Sequence, residues 1–412
     1  MLTRRACAML GAALVPVQFG RSLAATPFRI GVLNDQSGVF SSSTGPGASI
    51  SARMAVQDFG GQVNGRPIEV LAADHQNKPD VGASIARRWF DVDNVEAIVD
   101  IGNSAIALAA AALAREKNKV VLISAAGATA LTGSSCSPNT VQWTYDTWST
   151  ASALTQALAD EGRKTWFCIT ADYAFGHSLQ AVVTDTAAES GGRVIGSARH
   201  PIDTTDFSAL LLRARQSGAD VIGLANGGDD TTRAIKQARE FGITPKQTVV
   251  GLAAMISDVD AIGPEQAQGL LLSESFYWNL NERTRAYAQR WSQQNRQRMP
   301  TMMQAGVYSA VLHYLKALAD VPDAGDGAAV VRRMKAIPID DPLFGRGRIL
   351  PNGRAALDMH VLRAKAPAQV KEAWDYLEVV KTIPGERSMR PSSRDACPLL
   401  ASAPAAMGVT PR

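Results

Sequence analysis

The stretch AIVDIGNSAIALAAAALAREKNKVVLIS, residues 97–124, shows the organisation of the chain in one unit. It opens with a short β-rich run (97–102). Asn103-Ser104 then leads into an alanine-rich helical pattern (104–117), and a second apolar run closes the unit (120–124). Apolar runs of this length, separated by a helix-length segment, read as strand, helix and strand. Two strands joined through a helix lie parallel, because the crossover carries the chain back to the same end of the sheet.

The same alternation runs outward in both directions. Further strand candidates are 28–33, 68–73, 165–170, 220–225, 248–252 and 269–273. Helical patterns cover 48–59, 80–90, 149–161, 177–190, 206–216 and 230–241. Alternation of this kind predicts an α/β fold of parallel, doubly wound sheets with helices on both faces. Two sets of about four strands predict two similar lobes, with a break near WTYDTWST at 143–150. After 275 the pattern is mostly helical (283–297, 304–319), followed by a loop-rich segment at 337–354.

Ligands of open α/β sheets bind outside the carboxyl ends of the strands. The segments there are NDQSGVFSSSTGPG (34–47), GNSAIA (102–107), SAAGATALTG (124–133), ADYAFG (171–176) and NGGDD (226–230). Asn103 or Ser104 can cap the helix that begins beside them, and free N–H groups at such a terminus favour a negative group. Small residues at Ala126, Gly127 and Ala128 let backbone approach a ligand closely. Each alone reads as a plain cap or tight turn; their place at one sheet edge makes them candidates together.

The start of the chain reads differently. Residues 1–25 have a basic head (Arg4, Arg5), an apolar middle and small residues at Ser22, Ala24 and Ala25, the form of a secretory signal. The twin arginine leaves both export routes open. The chain carries +4, and its first 25 residues hold three arginines and no acid, so the remainder carries +1. A nearly neutral surface argues against nucleic acid or anionic membrane as partner. Export places the later cysteines in an oxidising space. Cys136 and Cys397 lie in polar, proline-bearing loops and are the expected disulfide; Cys168 sits in an apolar run and is expected to stay unpaired. No C-x-x-C or H-E-x-x-H occurs, so no metal site is expected.

Enzyme readings find little support. Gly176-His177-Ser178-Leu179-Gln180 begins like a nucleophile elbow but lacks the second glycine, and the preceding strand ends too early. GPGASI at 45–50 lacks the third glycine of a dinucleotide fingerprint, and there is no Walker A sequence. No catalytic residue and no cofactor are expected.

Longer stretches carry a family resemblance: RIGVLNDQSG (29–38), REKNKVVLISAAGATALTG (115–133), DYAFGHSLQ (172–180), DFSALLLRARQSGADVIGLANGG (206–228) and GLLLSESFYWNLN (269–281). Through them the chain resembles the extracytoplasmic solute-binding proteins of ABC transporters. Its group there is the branched-chain amino acid (Leu/Ile/Val-binding) group of the type I periplasmic binding fold. NDQSGVFSSSTGPG, SPNTVQWTYDTWS, FYWNLN and RMPTMMQAGVYSAVLHYLKAL are closest to an aromatic-acid-binding-like branch.

The resemblance implies two α/β lobes joined by three crossovers, closing over a ligand by hinge motion. Lobe one is then 27–145 with 277–352, and lobe two 146–276 with 353–400. It implies carboxylate contacts at Ser104 or Ala105, Ala126 and Ala128, and lobe-two contacts at Phe175, Asn226, Gly227 and Ala253. It also makes Tyr173 and Phe175 ligand walls and Ser178 a helix residue. Where Leu/Ile/Val binders hold the ammonium with an acid, this chain has Ala253, which offers a cation nothing. Phe40, Tyr173, Phe175, Tyr277 and Trp278 are aromatic cleft candidates that suit a flat ring. The expectation is a monomeric periplasmic receptor that passes a small organic acid, an aromatic carboxylate, to an inner-membrane permease. A ligand sensor of the same fold, or an amino acid or amide importer component, are the alternatives.

Overall fold

A computed structural model describes residues 26–243, 247–394 and 396–401. The signal-like residues 1–25 lie outside the described residues. A first sheet holds β1 (Phe28–Asn34), β2 (Gln62–Val63), β3 (Arg66–Asp74), β4 (Val95–Asp100), β5 (Val120–Ile123) and β6 (Thr140–Gln142), in the order β2-β3-β1-β4-β5-β6. All its pairings are parallel except the short β2–β3 hairpin. A second, wholly parallel sheet holds β7 (Thr165–Ala171), β8 (Arg193–His200), β9 (Val221–Ala225) and β10 (Thr248–Gly251), in the order β10-β9-β7-β8.

Helices α1 (Gly45–Phe59), α2 (Pro79–Asp91) and α3 (Ser104–Lys117) connect the first sheet. The second is wrapped by α4 (Thr147–Asp160), α5 (Ala174–Glu189), α6 (Ser208–Gln216), α7 (Asp229–Glu240), α8 (Ile256–Ile262) and α9 (Pro264–Ala267). Cover on both faces explains why β4, β5 and β9 read as unbroken apolar runs: nearly every residue in them is buried. The apolar material of both halves is needed to fill these two faces.

Two segments depart from the expected pattern. β11 (Leu271–Glu274) does not join the parallel sheet. It pairs antiparallel with β15 (Met359–Ala364), which pairs in turn with β16 (Leu377–Ile383). The loop-rich segment 337–354 carries β12 (Ile339–Asp341) and β13 (Gly345–Ile349), which form a small antiparallel sheet with β14 (Ala355–Ala356). Between β11 and β12 lie α10 (Glu282–Gln294), α11 (Met302–Ala319) and α12 (Gly327–Ala336), and α11 packs along α1.

The chain crosses between the two halves three times: after β6, after β11, and between β13 and β15. Arg354, on the third crossover, is fully buried and binds the first. Its guanidinium donates to the carbonyls of Gln142 (3.3 Å), Trp143 (2.7 Å) and Thr144 (3.3 Å), and stands 3.6 Å from the Asp146 carboxylate. Burial pulls its pKa down and the Asp146 charge opposes that, so the pair keeps Arg354 ionised where water is excluded. A disulfide joins Cys136 and Cys397, whose Cα atoms are 5.5 Å apart, while Cys168 is free and buried.

Candidate functional site

The carboxyl edges of the two parallel sheets face one cavity. From the first half come Phe40, Ser43, Thr44, Gly102, Ala125 and Met303; from the second, Tyr173, Phe175, Gly227, Gly228, Ala253, Met255 and Asp258; Tyr145 comes from the first crossover. About 370 Å³ between them is free of atoms, but it is narrow, and only about 20 Å³ admits the centre of a water molecule.

Each wall has a local cause. The Asp35 carboxylate accepts from the amides of Ser37 (3.3 Å), Gly38 (2.6 Å) and Phe40 (2.9 Å) and from Asn77 Nδ2 (2.6 Å), which folds the loop after β1 and sets Phe40 over the cavity. Deeper, Asp100 accepts from Asn34 Nδ2 (2.7 Å) and Ser124 Oγ (2.6 Å), tying the ends of β1, β4 and β5 together beneath Gly102 and Ala125. Complete burial pushes its carboxyl up to about 6. Tyr145 donates to the Ala125 carbonyl (2.7 Å), and its ring meets Phe175 edge-on at 6.5 Å. Gly127 lies behind both rings; a Cβ there would stand 2.7 Å from Tyr145 and 2.9 Å from Phe175.

The halves also touch across the cleft. The Asp229 amide donates to the Val39 carbonyl (3.1 Å), and the adjoining Gly228 has φ +62° with no room for a Cβ, which would meet Val39 O at 2.2 Å. Ser178 Oγ lies 2.6 Å from Thr147 Oγ1 and accepts from the Thr129 amide at 3.2 Å. These contacts mark a closed cleft. They also place Ser178 among hydroxyls, in the first turns of α5, while its neighbour His177 is bound to Asp172 (2.8 Å). That helix begins at Ala174, earlier than the expected 177, and so carries Phe175 on its first turn toward the cavity.

Of the residues singled out in the sequence, Phe40, Tyr173, Phe175, Gly227 and Ala253 come together on the cavity wall. The small-residue loops stand just behind it. Asn103 caps α3, accepting from Ala105 N (2.9 Å) and Ile106 N (3.4 Å). Ser104 Oγ accepts from the Ala128 amide (3.3 Å), so these two satisfy each other instead of standing open to a ligand. Ala126 O accepts from Gln142 Nε2 (3.0 Å). Asn226 is buried, between His200 Nε2 (3.1 Å) and Thr231 Oγ1 (2.7 Å), and orients the loop that bears Gly227.

Tyr277 and Trp278 are placed elsewhere. They belong to the second crossover, where Trp278 Nε1 donates to the Trp374 carbonyl (2.8 Å), and neither ring reaches the cavity. Sequence reasoning passed over Ser43, Thr44, Tyr145, Met255, Asp258 and Met303. Tyr145 stands in WTYDTWST, where the break between lobes was read, but Met303 arrives from α11 and nothing local announces it.

The chemistry of the lining is mostly aromatic and thioether. Among the described residues no lysine, arginine or histidine lines the cavity, and Asp258 is the one carboxyl group that does. Burial, with the Asp229 charge adding to it, pushes Asp258 up to about 7 against the hydrogen bonds from Met255 N and Thr232. Among the described residues no cluster of His, Cys, Asp or Glu could hold a metal ion, and no helix is long and apolar enough to cross a membrane.

The sequence pattern described as "periplasmic binding protein" matches residues 27–369. A Leu/Ile/Val-binding protein homologue of Brucella suis is 26% identical over 252 residues, covering 59% of this chain and 63% of that one. The chain thus aligns with somewhat under two thirds of that relative's length. The crystal structure of a periplasmic binding protein from Burkholderia mallei is 43% identical, with a TM-score of 0.88, covering 91% of this chain and 99% of that one. A branched chain amino acid ABC transporter periplasmic ligand-binding protein from Burkholderia xenovorans is 39% identical, with a TM-score of 0.80, covering 90% of this chain and 99% of that one.

Proposed function

The chain belongs to the periplasmic binding protein family, and from that premise we propose that it is an extracytoplasmic receptor for a small organic acid, an aromatic carboxylate, which it hands to an inner-membrane ABC permease. Lobe one would be 27–145 with 277–352, and lobe two 146–276 with 353–400, each closing on the other through the three crossovers.

One observation carries the ligand class: four aromatic rings, Phe40, Tyr145, Tyr173 and Phe175, wall a narrow cavity together with Met255 and Met303. Ring faces and thioethers stack on a flat apolar ligand. The carboxylate would be received by hydroxyls, because no cation is at hand. The Tyr173 hydroxyl has no hydrogen-bond partner among the described residues, whereas the Ser43 and Thr44 hydroxyls, which line one side, donate to the Phe40 carbonyl (3.0 and 3.4 Å) and would turn from it to meet a carboxylate.

Asp258 supports a second reading, an amino acid whose ammonium this carboxyl would pair. The name of the Burkholderia xenovorans relative points the same way. Calorimetry with benzoate, phenylacetate, cinnamate, leucine and valine decides between them. The acids are expected to bind, and leucine and valine to bind weakly or not at all. Tight binding of leucine or valine with failure of every aromatic acid would reverse the choice.

A further inference from the structure

We infer that Asp258 is the specificity-determining residue of the cavity, and that it meets the far end of a bound aromatic acid as an uncharged carboxyl group. The inference rests on the ligand being an acid, and it adds what that acid must carry opposite its carboxylate.

Asp258 is 2% exposed and lines the cavity from the second half of the chain, whereas Ser43 and Thr44 line it from the first. One of its oxygens accepts from Met255 N (2.8 Å) and the other from Thr232 Oγ1 (3.3 Å). A carboxyl group offers about four lone-pair sites, so two such bonds leave capacity for a ligand. A ligand carboxylate is driven away from a buried carboxyl group that has Asp229 and Glu274 beside it, so the ligand turns its opposite end toward Asp258.

The surroundings decide the charge. On β11, Glu274 is 1% exposed; it accepts from Ile256 N (3.1 Å), and its second oxygen has no partner. Asp229 acts on the group from α7, which also carries Asp230, bound by the Asp203 amide (3.1 Å), and Arg233, which is engaged by Asp203 (2.7 Å) and stands 3.7 Å from both Asp229 and Asp230. Glu265 lies on α9. On α8 itself, Asp260 accepts from Tyr376 OH (3.1 Å). Tyr145 and Tyr173 complete the wall. Among the described residues no cation pairs with Asp258, and Glu274 stands near it, pushed up to about 8 chiefly by burial, with Asp258 adding to the shift.

Two buried carboxyls without a cation cannot both stay ionised, and an anionic ligand brings a third negative charge into the same dry space. Binding therefore fills Asp258 with a proton taken from water: the carboxylate oxygen becomes O–H, and no other bond changes. As a neutral group it exchanges a hydrogen bond with a ring hydroxyl. It gives an ammonium at that position no counter-charge.

The test is calorimetry of the intact chain with benzoate, 4-hydroxybenzoate and 4-(aminomethyl)benzoate, in buffers of different ionisation enthalpy at pH 6 and pH 8, on wild type and Asp258→Asn. The hydroxy acid is expected to bind tightest, at least tenfold better than the cationic one. Proton uptake should accompany it, with affinity falling toward about tenfold per pH unit once Asp258 ionises in the free protein. Asp258→Asn, neutral at every pH, should lose the pH dependence of binding, whatever affinity it retains. Proton release, or tightest binding of the aminomethyl compound, would overturn the inference, as would an unchanged pH profile in Asp258→Asn. The buffer dependence of the wild type decides the matter even if the variant does not fold. Binding of benzoates without proton exchange would leave the ligand class standing and remove the role of Asp258. Failure of all three acids would remove both.

Discussion

At the scale of single residues, the cavity side of the second lobe is an acid-rich place that holds its protons. Asp258 and Glu274 are raised to about 7 and about 8, and in the unfolded chain both would titrate in the ordinary carboxylate range. A group whose folded pKa is raised contributes stability that is complete below the unfolded value and is lost as pH rises through the folded value. His75 works in the opposite sense, since burial depresses it to about 4, so its contribution is complete above about 6.5 and is lost toward 4. Between about pH 6.5 and 8.5, then, the carboxyls govern the slope. The melting temperature should fall as pH rises through that window, and Glu274→Gln should flatten the fall. A variant with the wild-type slope would show that Glu274 is not protonated in the fold. Phe40, Tyr173 and Phe175 stand in segments that follow strand ends, and it was the family resemblance that marked Tyr173 and Phe175 as walls. Asp258 was not legible, because it stands five residues beyond Ala253, the position the family pattern singles out, in the first turn of α8, and its chemistry comes from burial with the charge of Asp229 on α7 adding to it.

At the scale of elements, strands buried on both faces could be read directly. β4, β5 and β9 are continuous apolar runs because helices cover both sides. β8 escaped notice: as an edge strand it is mostly exposed or half-buried, so RVIGSARH has no apolar run to find. The antiparallel pairing of β11 was equally hidden, since its partner Met359–Ala364 arrives only after the third crossover. Those crossovers are joined by Arg354, a buried cation that meets three carbonyls and Asp146 on the first crossover and the Ala355 carbonyl (2.6 Å) on its own. Arg354→Met keeps much of the volume but leaves those carbonyls and a buried carboxylate without their donor. The expected loss is about 3–5 kcal/mol of unfolding free energy in denaturant titration. A loss under about 1 kcal/mol would mean that the pair contributes no more than a surface ion pair.

At the scale of the whole molecule, the account depends on two lobes moving as bodies about those crossovers. The cleft described above is closed, held by Asp229 against Val39, Ser178 against Thr129, and aromatic rings packed from both sides. None of these contacts is large, so a ligand bridging Ser43 and Thr44 on one lobe and Phe175 and Asp258 on the other would be needed to hold the lobes together. Without it, hinge opening should populate a wider, solvated cleft. Small-angle scattering of the intact chain, with and without a saturating aromatic acid, measures this directly. The account predicts a larger radius of gyration without ligand and a smaller one with it, the bound profile matching the closed form described here. An unchanged profile in a sample whose calorimetry shows the site filled would contradict it.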